Sequence, residues 1–292
     1  MKQKISSNEL LNAKFTGIAT LVVMIVMLMV VPELTLAQGN LLITPRRIVF
    51  EGNKQNQEIN LANTGQDTAV YAITFVQYRM KEDGTFEQIE EPDPGQLFAD
   101  KFLRYFPRTV TLPPNESQTV RMQLRRLPDM QAGEYRSHLY FRAVPVERPL
   151  GEEDVLEDTT AIGIRLTPIF GITIPAIVRV GELNSKVTLS DMKYEILNDT
   201  VPSLNLVFNR EGEKSVYGDL IVEYEPLKGA KVEVGVVRGI AVYTPNSVRR
   251  FQMQLSKPEG VDYTSGKLLV RYVDGSDTSS EVFATGELIL GQ

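Results

Sequence analysis

Gln118-Thr119-Val120-Arg121-Met122-Gln123-Leu124-Arg125 changes character at every residue from Thr119 onward: Val120, Met122 and Leu124 are apolar, and Thr119, Arg121, Gln123 and Arg125 are polar. A strand with one face buried and one face wet has this period of two, whereas a helix would repeat its apolar positions every three or four residues. The same alternation recurs at Tyr71, Ile73 and Phe75, and again at Tyr135, Ser137, Leu139, Phe141 and Ala143. Turn chemistry separates the runs at Glu51-Gly52-Asn53, Asn63-Thr64-Gly65, Asp83-Gly84, Pro113-Pro114-Asn115 and Asp274-Gly275. Short alternating strands punctuated in this way predict an all-β chain built as a β-sandwich.

The pattern pauses at residues 178–186 and resumes at about Val187. Further strands are expected at Leu204–Phe208, Tyr217–Tyr224, Val232–Val237, Val248–Leu255, Lys267–Tyr272 and Val282–Leu290. The chain therefore reads as two immunoglobulin-like sandwich domains in tandem, 38–181 and 182–292. Two segments of the first domain, 79–107 and 146–161, are rich in acidic residues and read as solvated loops.

The N-terminus reads as an export signal over residues 1–37. Lys2, Lys4 and Lys14 precede an apolar run from Gly17 to Val31, Pro32 breaks that run, and Thr35-Leu36-Ala37 offers small residues for cleavage after Ala37. The run is shorter than the ~20 apolar residues that span a bilayer comfortably. Removal of the signal would release the protein on the far side of the membrane.

Composition narrows the function. The chain has a formal net charge of −6 and shows no basic tract suited to nucleic acid. It has no cysteine and one histidine, His138, which excludes cysteine-nucleophile catalysis and a histidine-rich zinc site. Neither a Gly-x-Ser-x-Gly elbow nor a phosphate-binding glycine pattern is present. The expectation is a protein that is not an enzyme and that uses no cofactor and no metal.

One segment stands out as a candidate binding element. Between Ile162 and Ile174 the even positions are Ile162, Ile164, Leu166, Pro168, Phe170, Ile172 and Ile174, a long apolar row along one face of a strand. Pro168 lacks an N–H and suits an edge or a bulge. An exposed apolar edge invites aggregation unless it serves to pair with a partner strand. Periodicity alone fits an ordinary buried sandwich strand as well.

The segment 41–180 resembles the N-terminal domain of periplasmic pilus (PapD-like) chaperones. Pro45-Arg46-Arg47-Ile48-Val49-Phe50-Glu51-Gly52 is similar to the family's first strand. Leu61-Ala62-Asn63 with Tyr71 resembles its second and third strands, and Leu112-Pro113-Pro114 with Ser117-Gln118-Thr119-Val120-Arg121 resembles its L-x-P…V-R element. Tyr135-Arg136-Ser137-His138-Leu139-Tyr140-Phe141 with Val144-Pro145 looks like the strand that ends in I-P. The 162–174 row falls where the family has its subunit-binding edge strand. The second domain matches the family poorly.

The resemblance implies donor-strand complementation, in which the edge strand fills the groove of an immunoglobulin-like subunit that lacks its last strand. Main-chain hydrogen bonds would give affinity and alternate side chains would fill pockets, each contributing roughly 1.5–3 kcal/mol when fully buried. It assigns Ile162, Ile164, Leu166, Phe170 and Ile172 to that ladder. It also implies a two-cation anchor for the subunit's C-terminal carboxylate. Arg47 matches the first cation. The family's second, a lysine, has no counterpart in the stretch Phe170-Gly171-Ile172, and Arg165 is the nearest cation on that strand. The implied partners are pilin-like or other strand-deficient exported subunits and an outer-membrane usher; separately, an exposed edge allows a second copy of the chain to cap it in a dimer. The competing expectation is a non-catalytic structural or adhesive module of a cell-envelope complex.

Overall fold

The computed structural model describes residues 41–127, 130–145, 169–275 and 281–291. Residues Asn40–Gln292 form one compact unit, and the described part of that unit holds two β-sandwiches.

The first sandwich is built from β1 (Leu41–Thr44), β2 (Ile48–Phe50), β3 (Asn56–Asn63), β4 (Ala69–Met80), β5 (Phe86–Ile89), β6 (Leu103–Phe106), β7 (Thr109–Leu112), β8 (Ser117–Leu124), β9 (Gly133–Val144) and β10 (Gly171–Val180). One sheet has the order β1-β3-β8-β6. The other has the order β2-β10-β9-β4-β5, with β7 also pairing β4. The alternation in β8 is used as expected: Val120, Met122 and Leu124 face the core, and Arg121 and Gln123 face outward. Phe50, Ile59, Leu61, Ile73, Leu139 and Phe141 fill the space between the sheets.

The second sandwich holds β11 (Ser185–Leu197), β12 (Val201–Gly212), β13 (Val216–Glu225), β14 (Val232–Val242), β15 (Val248–Gln254), β16 (Lys267–Asp274) and β17 (Val282–Ile289). Its sheets run β11-β12-β15 and β14-β13-β16-β17. Leu206, Phe208, Val222, Tyr224, Val270 and Tyr272 form its core. The Tyr272 hydroxyl donates to the Ile240 carbonyl at 2.8 Å, so burying that ring leaves no orphaned hydroxyl.

The segment 79–107 differs from the loop expected. β4 continues to Met80 and folds back as a hairpin with β5, and β6 follows a short 3-10 turn at Asp100–Phe102. The hairpin closes at Gly84, whose φ of 83° is open to glycine at no steric cost. The acidic character that suggested a free loop is partly spent on a structural pair, with Arg79 Nε donating to Asp93 Oδ2 at 2.7 Å. The Arg79 guanidinium holds the Asp93 carboxyl below its usual range, first through this hydrogen bond.

Asn63 ties three segments of the first sandwich together from a buried position. Its Nδ2 reaches the carbonyls of Asp67 (2.7 Å), Leu112 (2.9 Å) and Pro113 (3.2 Å), and its Oδ1 accepts from the Gly65 N–H (2.9 Å). Asn63→Ala strips partners from buried backbone groups. It is expected to lower unfolding stability by about 2–4 kcal/mol, measured by urea titration. An unchanged midpoint would show that the network contributes nothing.

Candidate functional site

β10 has two margins with different fates. One is paired with β9 from Gly171–Arg142 through Val180–Gly133. The other meets β2 only at Ala176, Ile177 and Val178. Gly171 to Pro175 therefore have no strand partner on that side among the described residues. Pro175 sits where the β2 pairing stops, and a proline is tolerated there because it has no N–H to offer a ladder.

The apolar row on this strand leaves the core as it runs toward lower numbers. Ile174 is buried, and Ile172 is half-buried against the first core. Phe170 is 47% exposed, and Ile169 beside it is 50% exposed. Phe170 is still held to β9, because its carbonyl accepts from the Ala143 N–H at 2.9 Å. Gly171 lies under the Tyr140 ring, and a Cβ there would run into that ring. Of the residues expected to form the ladder, the structure thus places Phe170 and Ile172 on one row. Ile162, Ile164 and Leu166 lie outside the described residues, as does Arg165.

Arg47 enters through the crossing between β1 and β2, where the chain passes from one sheet to the other. Its guanidinium lies 4.8 Å from the Tyr217 ring centroid and 5.8 Å from that of Tyr243. It therefore faces the second sandwich, where cation–π attraction holds it. Its Nη1 is buried and has no hydrogen-bond partner among the described residues.

A second cation, absent from the sequence reading, shares the place. Arg136 on β9 is only 2% exposed and stacks on Tyr243 at 4.2 Å. Its guanidinium donates long hydrogen bonds to the carbonyls of Thr244 (3.3 Å) and Tyr78 (3.4 Å), and its Nε has no partner among the described residues. Burial pushes Arg136 down to about 10, and the charge of Arg47 acts in the same direction against Tyr243 and Glu134. Two like charges sharing a desolvated aromatic pocket, each with an unused N–H, form a place where an anionic acceptor is favourable. His138, two residues along, rests among the rings of Tyr78 (5.1 Å), Phe86 (5.7 Å) and Tyr243 (6.5 Å), and among the described residues its buried Nδ1 is also unpartnered.

Glu134 holds this arrangement in register. Its side chain is fully buried. Oε2 accepts from Arg179 Nε at 3.0 Å and from the Ser215 N–H at 3.1 Å, and Oε1 accepts from the Ser215 hydroxyl and from Thr244 Oγ1 at 3.4 Å. Arg179 also pairs Glu51 at 3.0 Å and donates to the Ser215 carbonyl at 3.3 Å. A second brace comes from the β4–β5 hairpin, where the Arg250 N–H donates to the Glu82 carbonyl at 2.6 Å and Asn246 Nδ2 donates to the Met80 carbonyl at 2.7 Å. The signal that could have revealed the cluster is the run Glu134, Arg136, His138: three ionisable residues on alternate positions of a strand whose other face is core.

No protein-family model and no curated protein matches the chain. Solved structures do align with it. The YadV chaperone is 14% identical with a TM-score of 0.43, over 86% of this chain and 100% of its own. A chain of the CsuC–CsuE chaperone–tip adhesion subunit complex of Acinetobacter baumannii is 16% identical with a TM-score of 0.43, over 83% and 96%. A chain of the SafA pilin–SafB chaperone complex of Salmonella enterica is 12% identical with a TM-score of 0.37, over 86% and 96%.

The His138 environment gives a pH signature. Burial first, and then the Arg136 charge, lowers His138 from its usual 6.5 to about 3. The unfolded chain takes up this proton near pH 6.5, and the folded chain does not until about pH 3. The stability that comes from the neutral ring is thus full above pH 6.5 and is lost as the pH falls through that window, at up to ~1.4 kcal/mol per pH unit. Urea midpoints measured from pH 7 to pH 5 should fall more steeply for the wild type than for His138→Leu. Parallel slopes would mean that His138 titrates in the folded protein as it does in the unfolded chain.

Proposed function

We propose that this protein is a periplasmic chaperone that holds strand-deficient exported subunits, pilus subunits or close analogues, by lending them β10. The observation that carries the reading is the margin at Gly171–Pro175, unpaired among the described residues, from which Ile174, Ile172 and Phe170 form an apolar row that climbs out of the protein's own core. An incoming strand paired on that margin would gain main-chain hydrogen bonds, and the groove it belongs to would cover Phe170 and Ile172. In the sequence Ile162, Ile164 and Leu166 share the parity of Phe170 and Ile172, and we assign them to the same ladder. No step requires catalysis.

The anchor for the subunit's terminal carboxylate is Arg47 together with Arg136, in place of the lysine that the chain lacks. A carboxylate has two oxygens for the unused N–H groups of the two guanidiniums, and it neutralises their mutual repulsion. Residues 1–37 act as the export signal, 38–181 carry the capture surface, and 182–292 supply the aromatic wall, Tyr217 and Tyr243, against which the anchor rests.

The test is capture in the native compartment. Tagged wild-type protein purified from periplasm should carry an immunoglobulin-like subunit short of its last strand, identified by mass spectrometry. Phe170→Asp should cut recovery at least tenfold, since it sets a charge in an apolar pocket. Arg47→Ala should weaken capture by about tenfold to a hundredfold through loss of charge-assisted hydrogen bonds. Equal recovery by wild type and Phe170→Asp would remove β10 from the mechanism. Wild-type protein that carries no subunit would favour a structural or adhesive envelope module.

A further inference from the structure

The outer face of the β1-β3-β8-β6 sheet carries a basic and aromatic surface on a chain that is acidic overall. Phe106, on the edge strand β6, is 77% exposed, and no other large apolar strand residue among those described is as exposed. It stands opposite Arg121 of β8, and Arg121 stands opposite Glu58 of β3, so the three form one cross-strand row. The next row holds Arg104, Gln123 and Asn56. Arg125 continues the outward parity of β8 and is exposed. Arg121 meets Glu58 at 3.4 Å, with both side chains largely in solvent. Arg104 and Arg125 have no ion-pair partner among the described residues. A depression of about 450 Å³ lies beside Phe106 on this face.

We infer that this face docks an acidic protein segment that places an aliphatic side chain against Phe106 and carboxylates against Arg104, Arg121 and Arg125. A rigid aromatic ring flanked by arginines has the composition of an interface hot spot. The excess of positive charge on the face, in a chain of net charge −6, selects a negative partner and speeds its approach. The surrounding groups favour polypeptide over an anionic bilayer. Asn56, Asn60 and Gln123 offer amide donors and acceptors that suit a peptide backbone, Glu58 would oppose a sheet of lipid phosphate, and one ring is too little apolar area to insert. The site is separate from β10 and does not depend on the subunit-capture reading.

The probe is a fluorescent 12-residue peptide of aspartate and glutamate with one central leucine, titrated by anisotropy against the mature protein. Wild type should bind it, with affinity falling at least tenfold as salt rises from about 50 to 300 mM. Arg104→Glu with Arg121→Glu should weaken binding at least tenfold, Arg104→Gln by a smaller factor, and Phe106→Ser by about tenfold, each with an unshifted thermal midpoint. Phe170→Asp should leave the affinity unchanged, which separates this surface from β10. Face variants that bind like wild type would overturn the inference, as would loss of binding on Phe170→Asp alone. Tighter binding to phosphatidylglycerol vesicles through Phe106 and the same arginines would overturn it in favour of a membrane surface.

Discussion

A carboxylate with no access to water must find all of its partners inside the protein, and Glu134 finds them on both sandwiches. An isolated charge in that position would cost several kcal/mol, so the ion is tolerated only while Arg179, Ser215 and Thr244 stay in place. That requirement fixes how the second sandwich sits on the outer face of β9. Once it sits there, Tyr243 lies over Arg136, Tyr217 and Tyr243 lie under Arg47, and His138 is closed off from solvent. The cation pocket is thus a by-product of the interface geometry and needs no loop of its own to shape it.

The alternation of β8 could be taken directly from its residues, because one side of that strand meets the core and the other meets water. β9 has the same alternation but a different outcome. Tyr135, Ser137 and Leu139 face inward as a strand pattern requires, yet Glu134, Arg136 and His138 on the opposite face are buried too. A one-dimensional pattern assigns polar alternates to solvent, and it has no means of reporting that a second domain covers them. Periodicity therefore does not single out Arg136. It does not single out Arg47 either, which enters only through a family resemblance. The segment 79–107 was misjudged on composition: its acidic residues suggested a solvated loop, whereas Asp93 is engaged by Arg79 across a hairpin.

The rest of the first sandwich shows how an edge can be left open safely. Sheet edges are usually blunted by charge, by proline or by brevity. β10 uses one of these, proline, and adds a local device of its own. Pro175 breaks the row of donors, and Gly171 lets the Tyr140 ring close over the backbone where a side chain would prop it away. Among the described residues the strand therefore keeps an apolar row and an unpaired margin, with Pro175 offering no donor to a chance partner.

The brevity of β2 has a reach beyond its own three residues. It runs alongside β10 for Ala176–Val178 and no farther, because the chain before Ile48 has crossed over to the opposite sheet as β1. The amount of β10 left bare is therefore measured out by the position of that crossover, more than a hundred residues upstream. A chain that switched sheets earlier would run alongside β10 for longer and seal it. In this architecture, the length of one strand's unoccupied border is written into the opening strand of the fold.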